Sequence, residues 1–335
     1  MSNSKKQFHQ QIMQYALSKW INKPMYVAAE LGIADILSEG PISIEELAQL
    51  TKTHKHSLYR LMRALSGLGI FSESDNRDFQ LTPMGELLKD DALRPIVQMF
   101  NSDWHDKAWG KLANSIRTGK NAFVNAHKVP IMKWLESNPE AAEIFNKANM
   151  IKSTMSAKLI NQIYDFSAYK SVADIGGGYG GLLLEILKSN PNLFGSILDL
   201  PYVKNGAEKN IRNFDLENNC SFIECDFFKE ITVDSDIYML SNILHDWNDE
   251  RCKIILENCY QAMNSKSRIL IVEHIVPTGN EFSISKLLDL EMFVIGDGQE
   301  RTEQEYRDLL EKSDFKISKI YSEGDNISII EASVS

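Results

Sequence analysis

Apolar and polar positions follow two different rhythms along the 335 residues, and the change falls near Tyr169. From about Lys5 to Leu88 the spacing is helical. The run MYVAAELGIADIL ends near Gly40-Pro41, and Ser43-Ile-Glu-Glu46 forms a capping box that opens the helix ELAQL. HSLYRLMRALSGLGIF then places Leu58, Leu61, Met62 and Leu65 on one face. SESDNRDF makes a turn between Ile70-Phe71 and Phe79-Leu81, and Thr82-Pro83 starts a further helix. Three helices followed by a two-stranded wing predict a winged helix-turn-helix. From about Ala92 to Tyr164 the pattern is helical throughout, with Trp104, Trp109, Trp134 and Phe145 in stripes that read as core or as pocket lining.

After Tyr169 short β-rich runs (SVADIGG, SILDL, SFIECDF, DIYMLSNIL, RILIVEHI) alternate with the helical segments LLLEILKS, VKNGAEKNI and DERCKIILENCYQAM. That alternation predicts a parallel sheet with helices on both faces. Two last strand-like runs, FKISKIYS and NISIIEASV, form a hairpin whose final strand is antiparallel to its neighbours. The expected organisation is a winged-helix domain over 1–92, a helical connector over 93–165 and an α/β Rossmann-like domain over 166–335.

Composition narrows the options. A net charge of −10 works against nucleic acid as a partner. No apolar run approaches the roughly 20 residues that span a bilayer, and the N-terminal stretch lacks the apolar core of a secretory signal. Cys220, Cys225, Cys252 and Cys259 form no C-x-x-C pair, so neither a zinc site nor a disulfide framework is expected. A cytoplasmic protein fits these features.

Gly176, Gly178 and Gly181 satisfy G-x-G-x-x-G between a strand and a helix, a turn in which no Cβ blocks a ligand. The motif alone admits a dinucleotide. Asp174, two residues before it, favours S-adenosylmethionine instead, because a carboxylate repels a pyrophosphate and attracts an ammonium. Asp199 ends the next strand, where it can take ribose hydroxyls of either cofactor. Asp226 ends the third strand and precedes Phe227 and Phe228, an acid for an adenine amino group beside an aromatic face.

VADIGGGYGG, LDLP, ECDFF, LSNILHDWNDE and GDGQERT, in that order, resemble the O-methyltransferases of the caffeic-acid and acetylserotonin type, closest to the acetylserotonin and bacterial branch. The resemblance spans nearly the whole chain. It implies a winged-helix dimerisation domain, hence a homodimer, joined to a methyltransferase domain whose sheet ends in an antiparallel hairpin. It also implies S-adenosylmethionine as donor and S-adenosylhomocysteine as product. Cofactor positions fall on Gly176 with its neighbours Gly177 and Gly178, and on Asp199, Asp226, Phe227 and Ser241; Ser153 matches a serine near the methionine carboxylate. Plant members carry lysine in place of Ser241, so a charged contact is lost here. Asn242, Met292, and Asn149 or Met150 match positions that line the acceptor pocket.

Methyl transfer from a sulfonium needs alignment above all. A phenol with a pKa near 10 also gains from a base. His245, just past the fourth strand, stands at the carboxyl edge where such sheets bind ligands. The competing reading has His245 begin a helix capped by Asp246 and Asp249. The resemblance places glutamates Glu273 and Glu300 beside this histidine, and Asp246 serves either substrate or cap. No metal is expected, because no histidine–carboxylate cluster has ligand spacing. The expected function is methylation of an aromatic hydroxyl of a small molecule. The alternatives are a winged-helix DNA-binding regulator with Lys52, Lys55, Arg60 and Arg63 on its recognition helix, an N- or C-methyltransferase on the same scaffold, and a nicotinamide dehydrogenase.

Overall fold

The computed structural model describes residues 3–324 and 326–334, which fall into two compact units, Met1–Asp106 and Lys107–Ser335. In the first, helices Lys19–Glu30, Ile44–Leu50 and Lys55–Gly67 surround a core of Ile33, Leu47, Leu58, Met62, Leu65, Phe71 and Phe79. Strands β1 (Ile42–Ser43), β2 (Phe71–Glu73) and β3 (Asp78–Leu81) form an antiparallel sheet in the order β1-β3-β2. The helix starts follow the sequence signals. Ser43 Oγ accepts from the Glu46 amide, and Thr82 Oγ1 accepts from the Gly85 amide with Pro83 at the first helical position.

The stretch expected to be helical throughout is divided into six helices. Gly119, at φ 67°, ends Leu112–Thr118, and Pro130 precedes Ile131–Glu136. The last of the six, Pro139–Ile163, has 25 residues.

Seven strands make the second unit's sheet: β4 (Ser171–Ile175), β5 (Phe194–Asp199), β6 (Cys220–Glu224), β7 (Ile237–Ser241), β8 (Arg268–Glu273), β9 (Phe315–Tyr321) and β10 (Ser328–Val334). Their order is β6-β5-β4-β7-β8-β10-β9. The first five are parallel, and β10 lies between β8 and β9, antiparallel to both. The expected antiparallel ending is therefore present, with the last strand inserted rather than at the edge.

Strand alternation divides the core. Val172, Ile237, Met239, Leu270 and Val272 face one side with the leucines of helix Gly181–Ser189. Ala173, Tyr238, Leu240, Ile269 and Ile271 face the other, against Cys252, Ile255 and Leu256 of helix Asp249–Ala262. Each fully buried aliphatic side chain contributes about 1.5–3 kcal/mol. The strand order reverses between β4 and β7, so the loops after these two strands splay apart and open a crevice at their carboxyl ends. Among the described residues, no helix is long and apolar enough to cross a membrane.

Candidate active site

At the carboxyl end of β7 the chain was expected to run on as strand to Leu244, but it stops at Ser241. Asn242 adopts φ 52°, a left-handed conformation that few residues other than glycine and asparagine tolerate. The cause lies on the neighbouring strand. Glu273, fully buried at the end of β8, accepts the amides of Ile243, Leu244 and His245 on Oε1 at 3.0, 2.9 and 3.3 Å. One carboxylate thereby folds three consecutive residues into a turn that delivers His245 to the crevice.

His245 Nδ1 lies 2.8 Å from Glu300 Oε1 and 3.4 Å from Glu273 Oε2, while Nε2 lies 3.7 Å from Asp246 Oδ1. The Nδ1 hydrogen bond leaves Nε2 as the nitrogen available to another group. Burial alone would hold the imidazole neutral. The carboxylates of Glu273 and Glu300, the hydrogen bond that Nδ1 donates to Glu300 and the nearby Asp246 outweigh it, and His245 is pushed up to about 10. Burial raises the Glu273 carboxyl as well, against the pull of His245.

Two features bring Glu300 to this histidine. A Cβ on Gly298 would fall on the His245 carbonyl, so only glycine lets the 296–300 segment approach this closely. Arg301, with no exposed surface, then ties the same turn from behind. Its Nη1 donates to the Leu244 carbonyl at 2.9 Å, Nη2 to the Trp247 carbonyl at 2.9 Å, and Nε and Nη2 to Asp249 Oδ1 at 3.1 and 2.7 Å. The competing cap assignment for this loop is corrected. Asn248 caps helix Asp249–Ala262 through the Arg251 amide, Asp249 pairs with Arg301, and His245 sits in a separate 3-10 turn, Leu244–Asp246.

The expectation that no histidine and carboxylates gather at ligand spacing is also revised. His245, Glu273 and Glu300, far apart in sequence, bring their ligand atoms within 4.8 Å of one another, a set that also has the composition of a metal site.

At the other end of the crevice, Gly176 and Gly178 have φ 72° and 56°. A Cβ on Gly176 would strike Ile243 and come within 3.3 Å of the Phe227 ring. Asp199 accepts the Gly178 amide on Oδ2 at 2.8 Å and the Leu200 amide on Oδ1 at 2.7 Å, joining the β5 end to the glycine loop. Asp174 is buried beneath that loop, tucked so close that a Cβ on Gly177 would lie 2.7 Å from its Oδ2. Its Oδ1 is buried with no hydrogen-bond partner, and burial, with Asp199 nearby, pushes the carboxyl up to about 7. Such a carboxylate favours a cation or a hydrogen-bond donor beside it.

Asp226 Oδ1 accepts from the Phe228 amide at 3.1 Å, and Phe227 packs on Phe228 with centroids 4.8 Å apart. Ser241 and Asn242 touch each other at the end of β7. Met292 is half-buried on helix Ile284–Ile295, and Asn149 and Ser153 are half-buried on helix Pro139–Ile163. Met150 turns its thioether to Asn210 Nδ2 at 3.0 Å, toward the glycine-loop side of that helix.

Sequence reasoning passed over three residues. Arg301 was visible within GQERT as a cation beside Glu300. Tyr179, inside the glycine motif, donates to Glu143 at 3.0 Å and joins the loop to helix Pro139–Ile163. Lys152, next to Ser153, is half-buried in the electrostatic field of Asp246, Glu291 and Glu300.

Comparison with known proteins identifies the family. Residues 109–316 match the O-methyltransferase domain family, and residues 13–91 match the O-methyltransferase dimerisation domain. A phenazine O-methyltransferase of Lysobacter antibioticus is 36% identical over 96% of this chain and 95% of its own. An 8-amino-8-demethylriboflavin N,N-dimethyltransferase of Streptomyces davaonensis is 31% identical over 96% of this chain and 94% of its own. Among solved structures, an O-methyltransferase from neocarzinostatin biosynthesis, in complex with S-adenosylmethionine and 2-hydroxy-5-methyl naphthoic acid, is 28% identical. It covers 94% of this chain and 96% of its own with a TM-score of 0.79. The chain therefore belongs to the O-methyltransferase family, as an S-adenosylmethionine-dependent methyltransferase that carries the family's dimerisation domain ahead of the catalytic one.

Proposed function

We propose that this protein methylates an aromatic hydroxyl of a small molecule, with His245 as general base. The observation that carries the reading is the bond from His245 Nδ1 to Glu300, which fixes the ring and presents Nε2 to the crevice beside Asp246. A hydroxyl placed at Nε2 passes its proton to the ring as its oxygen attacks. Glu273 and Glu300 steady the resulting imidazolium, which their charges already favour. In this reading the three side chains are a proton-accepting set and hold no metal. Glu273 Oε1 is committed to three amides and Glu300 Oε1 to the ring. Dialysis against a chelator should then leave turnover unchanged.

The residues at the glycine end fit S-adenosylmethionine. Asp174, whose Oδ1 lacks a protein partner, is the group for the methionine ammonium, and Asp199 for the ribose. Asp226 and Phe227 would hold the adenine, and Ser153 and Ser241 the methionine carboxylate end. Gly176, Gly177 and Gly178 keep side chains out of the turn. When bound, the cofactor supplies a methyl group already activated on sulfur. Asn149, Met150, Asn242, Asp246 and Met292 are the proposed acceptor contacts, Met150 the least direct of them given its thioether's direction.

A homodimer in the cytoplasm completes the proposal. The match over 13–91 supports the dimer, as do Phe8, Ile12, Tyr15 and Trp20, all well exposed on the first two helices. The N,N-dimethyltransferase relative supports a second reading, a nitrogen acceptor. A screen of phenols, hydroxyindoles, aromatic acids and aromatic amines with radiolabelled methyl donor tests the choice: label on oxygen supports the proposal, and label on nitrogen alone ends it.

A further inference from the structure

Phe227 lies against the glycine loop, where a Cβ on Gly176 would come within 3.3 Å of its ring. It also packs on Phe228, and Phe228 meets Trp247 edge to face, with 4.8 Å between centroids and 90° between planes. Trp247 directly follows the 3-10 turn that carries His245. A row of three rings therefore runs from the glycine loop to the base turn. The guanidinium of Arg251 covers the corner between the last two, 4.1 Å from the Phe228 centroid and 4.3 Å from that of Trp247. Both distances fall well inside the roughly 6 Å reach of a cation–π contact.

The two rings that Arg251 joins are not held equally. Trp247 belongs to a braced segment: its carbonyl accepts from Arg301 Nη2 at 2.9 Å, its amide donates to the Leu244 carbonyl at 3.3 Å, and Glu273 holds the amides of Ile243, Leu244 and His245. The 226–228 loop is tied largely to itself, through the Phe228 amide on Asp226 Oδ1 and the Lys229 and Glu230 amides on the Asp226 carbonyl. Helix Asp249–Ala262 reaches it from outside. Asn258 Nδ2 donates to the Phe227 carbonyl at 2.9 Å, and Arg251, seven residues earlier and so on the same face, takes the Phe228 ring. Arg251 stands in the first turn of that helix, where the dipole favours an acid, so helix stability does not account for a cation here.

We propose that Arg251 is a positioning residue for the cofactor: it clamps Phe228 onto the braced Trp247 and thereby fixes Phe227, whose face covers the adenine. This rests on the assignment of Asp226 and Phe227 to the adenine above. Because the base turn keeps its ties to Glu273 and Arg301, loss of the cation loosens the 226–228 loop and leaves His245 in place. The cost falls on the adenosine half of the cofactor.

The test is calorimetric binding to the full-length protein of S-adenosylhomocysteine and of 5′-methylthioadenosine, which lacks the amino-acid end. Arg251→Ala should weaken both by the same factor, about five- to tenfold. Arg251→Lys should bind both more tightly than Arg251→Gln, because it keeps a charge for the rings. Unchanged affinity in Arg251→Ala overturns the proposal. So does a loss much larger for S-adenosylhomocysteine than for the fragment, which marks a general loosening of the site, and so does a lysine variant no better than the glutamine one. If Arg251→Ala does not fold, Arg251→Gln replaces it in the first comparison. Asp226→Asn and Phe227→Leu separate the parent reading. If both leave S-adenosylhomocysteine binding unchanged, the adenine assignment falls and the clamp with it; if they weaken binding while Arg251→Ala does not, only the clamp falls.

Discussion

The two ends of the crevice are built on opposite principles. At the base end each charge faces an opposite one: His245 has Glu300 and Glu273, and Arg301 has Asp249, so even Glu273 Oε2 and Glu300 Oε2, which make no hydrogen bond, lie beside a cation. At the glycine end Asp174 is buried with one oxygen lacking a protein partner, and burial lifts its pKa to about 7. The first arrangement fixes a geometry before any ligand arrives. The second holds strain that a cationic ligand relieves. Substitutions should therefore cost turnover and stability together at the base end, and exchange stability against affinity at the glycine end.

The largest expected effect is on turnover. His245→Ala should lower kcat at least about 100-fold, with S-adenosylhomocysteine affinity changed less than about threefold. Steady-state rates and calorimetry read the two quantities. Weakened cofactor binding in this variant would blur the division between the ends.

Next is Arg301→Met, which takes the guanidinium donor from the Leu244 and Trp247 carbonyls, leaving them the weaker Cys252 thiol. Removing the guanidinium should destabilise the fold by about 2–4 kcal/mol in urea unfolding and reduce kcat in parallel, because the His245 turn loses its brace.

The opposite sign is expected for Asp174→Asn. The folded pKa lies above the unfolded one, so the carboxylate's cost is absent below about 3.8, grows as pH rises and is complete above about 7. The variant should gain about 1–3 kcal/mol at pH 8 and progressively less toward pH 5, while binding S-adenosylhomocysteine more weakly. A variant that loses both stability and affinity would place Asp174 with the self-satisfied groups.

The smallest of the four is a shift in pH dependence. A base must be unprotonated, and the carboxylates hold the His245 proton to about 10, so kcat/KM should climb from pH 7 toward alkaline values. Glu300→Gln removes one of those charges and should move the acid limb down by about one pH unit, with a lower plateau.

The same contrast explains what the sequence discloses. The glycine end is local: Asp174 to Gly181 are contiguous, and Asp199 and Asp226 each end a strand whose β pattern is plain. The base end is assembled across distance. His245, Glu273 and Glu300 come from three segments, so their meeting followed from the resemblance rather than from spacing, and the metal-like grouping they make went unseen. The stop of β7 at Ser241 was hidden for the same reason, because the hydrophobic run continues to Leu244 and the turn is imposed by a carboxylate from β8. The close approach of Gly298 to the His245 carbonyl and the pairing of Arg301 with Asp249 likewise depend on the tertiary fold.

The most direct measurement of the central claim is the nitrogen-15 spectrum of the His245 imidazole, titrated from pH 6 to 11. A ring protonated on both nitrogens at neutral pH, losing its proton from Nε2 near pH 10 and keeping the one on Nδ1, is the predicted result. A ring that on deprotonation keeps its proton on Nε2 and bares Nδ1 would contradict it, because the neutral form could not then accept a proton at Nε2 from a hydroxyl.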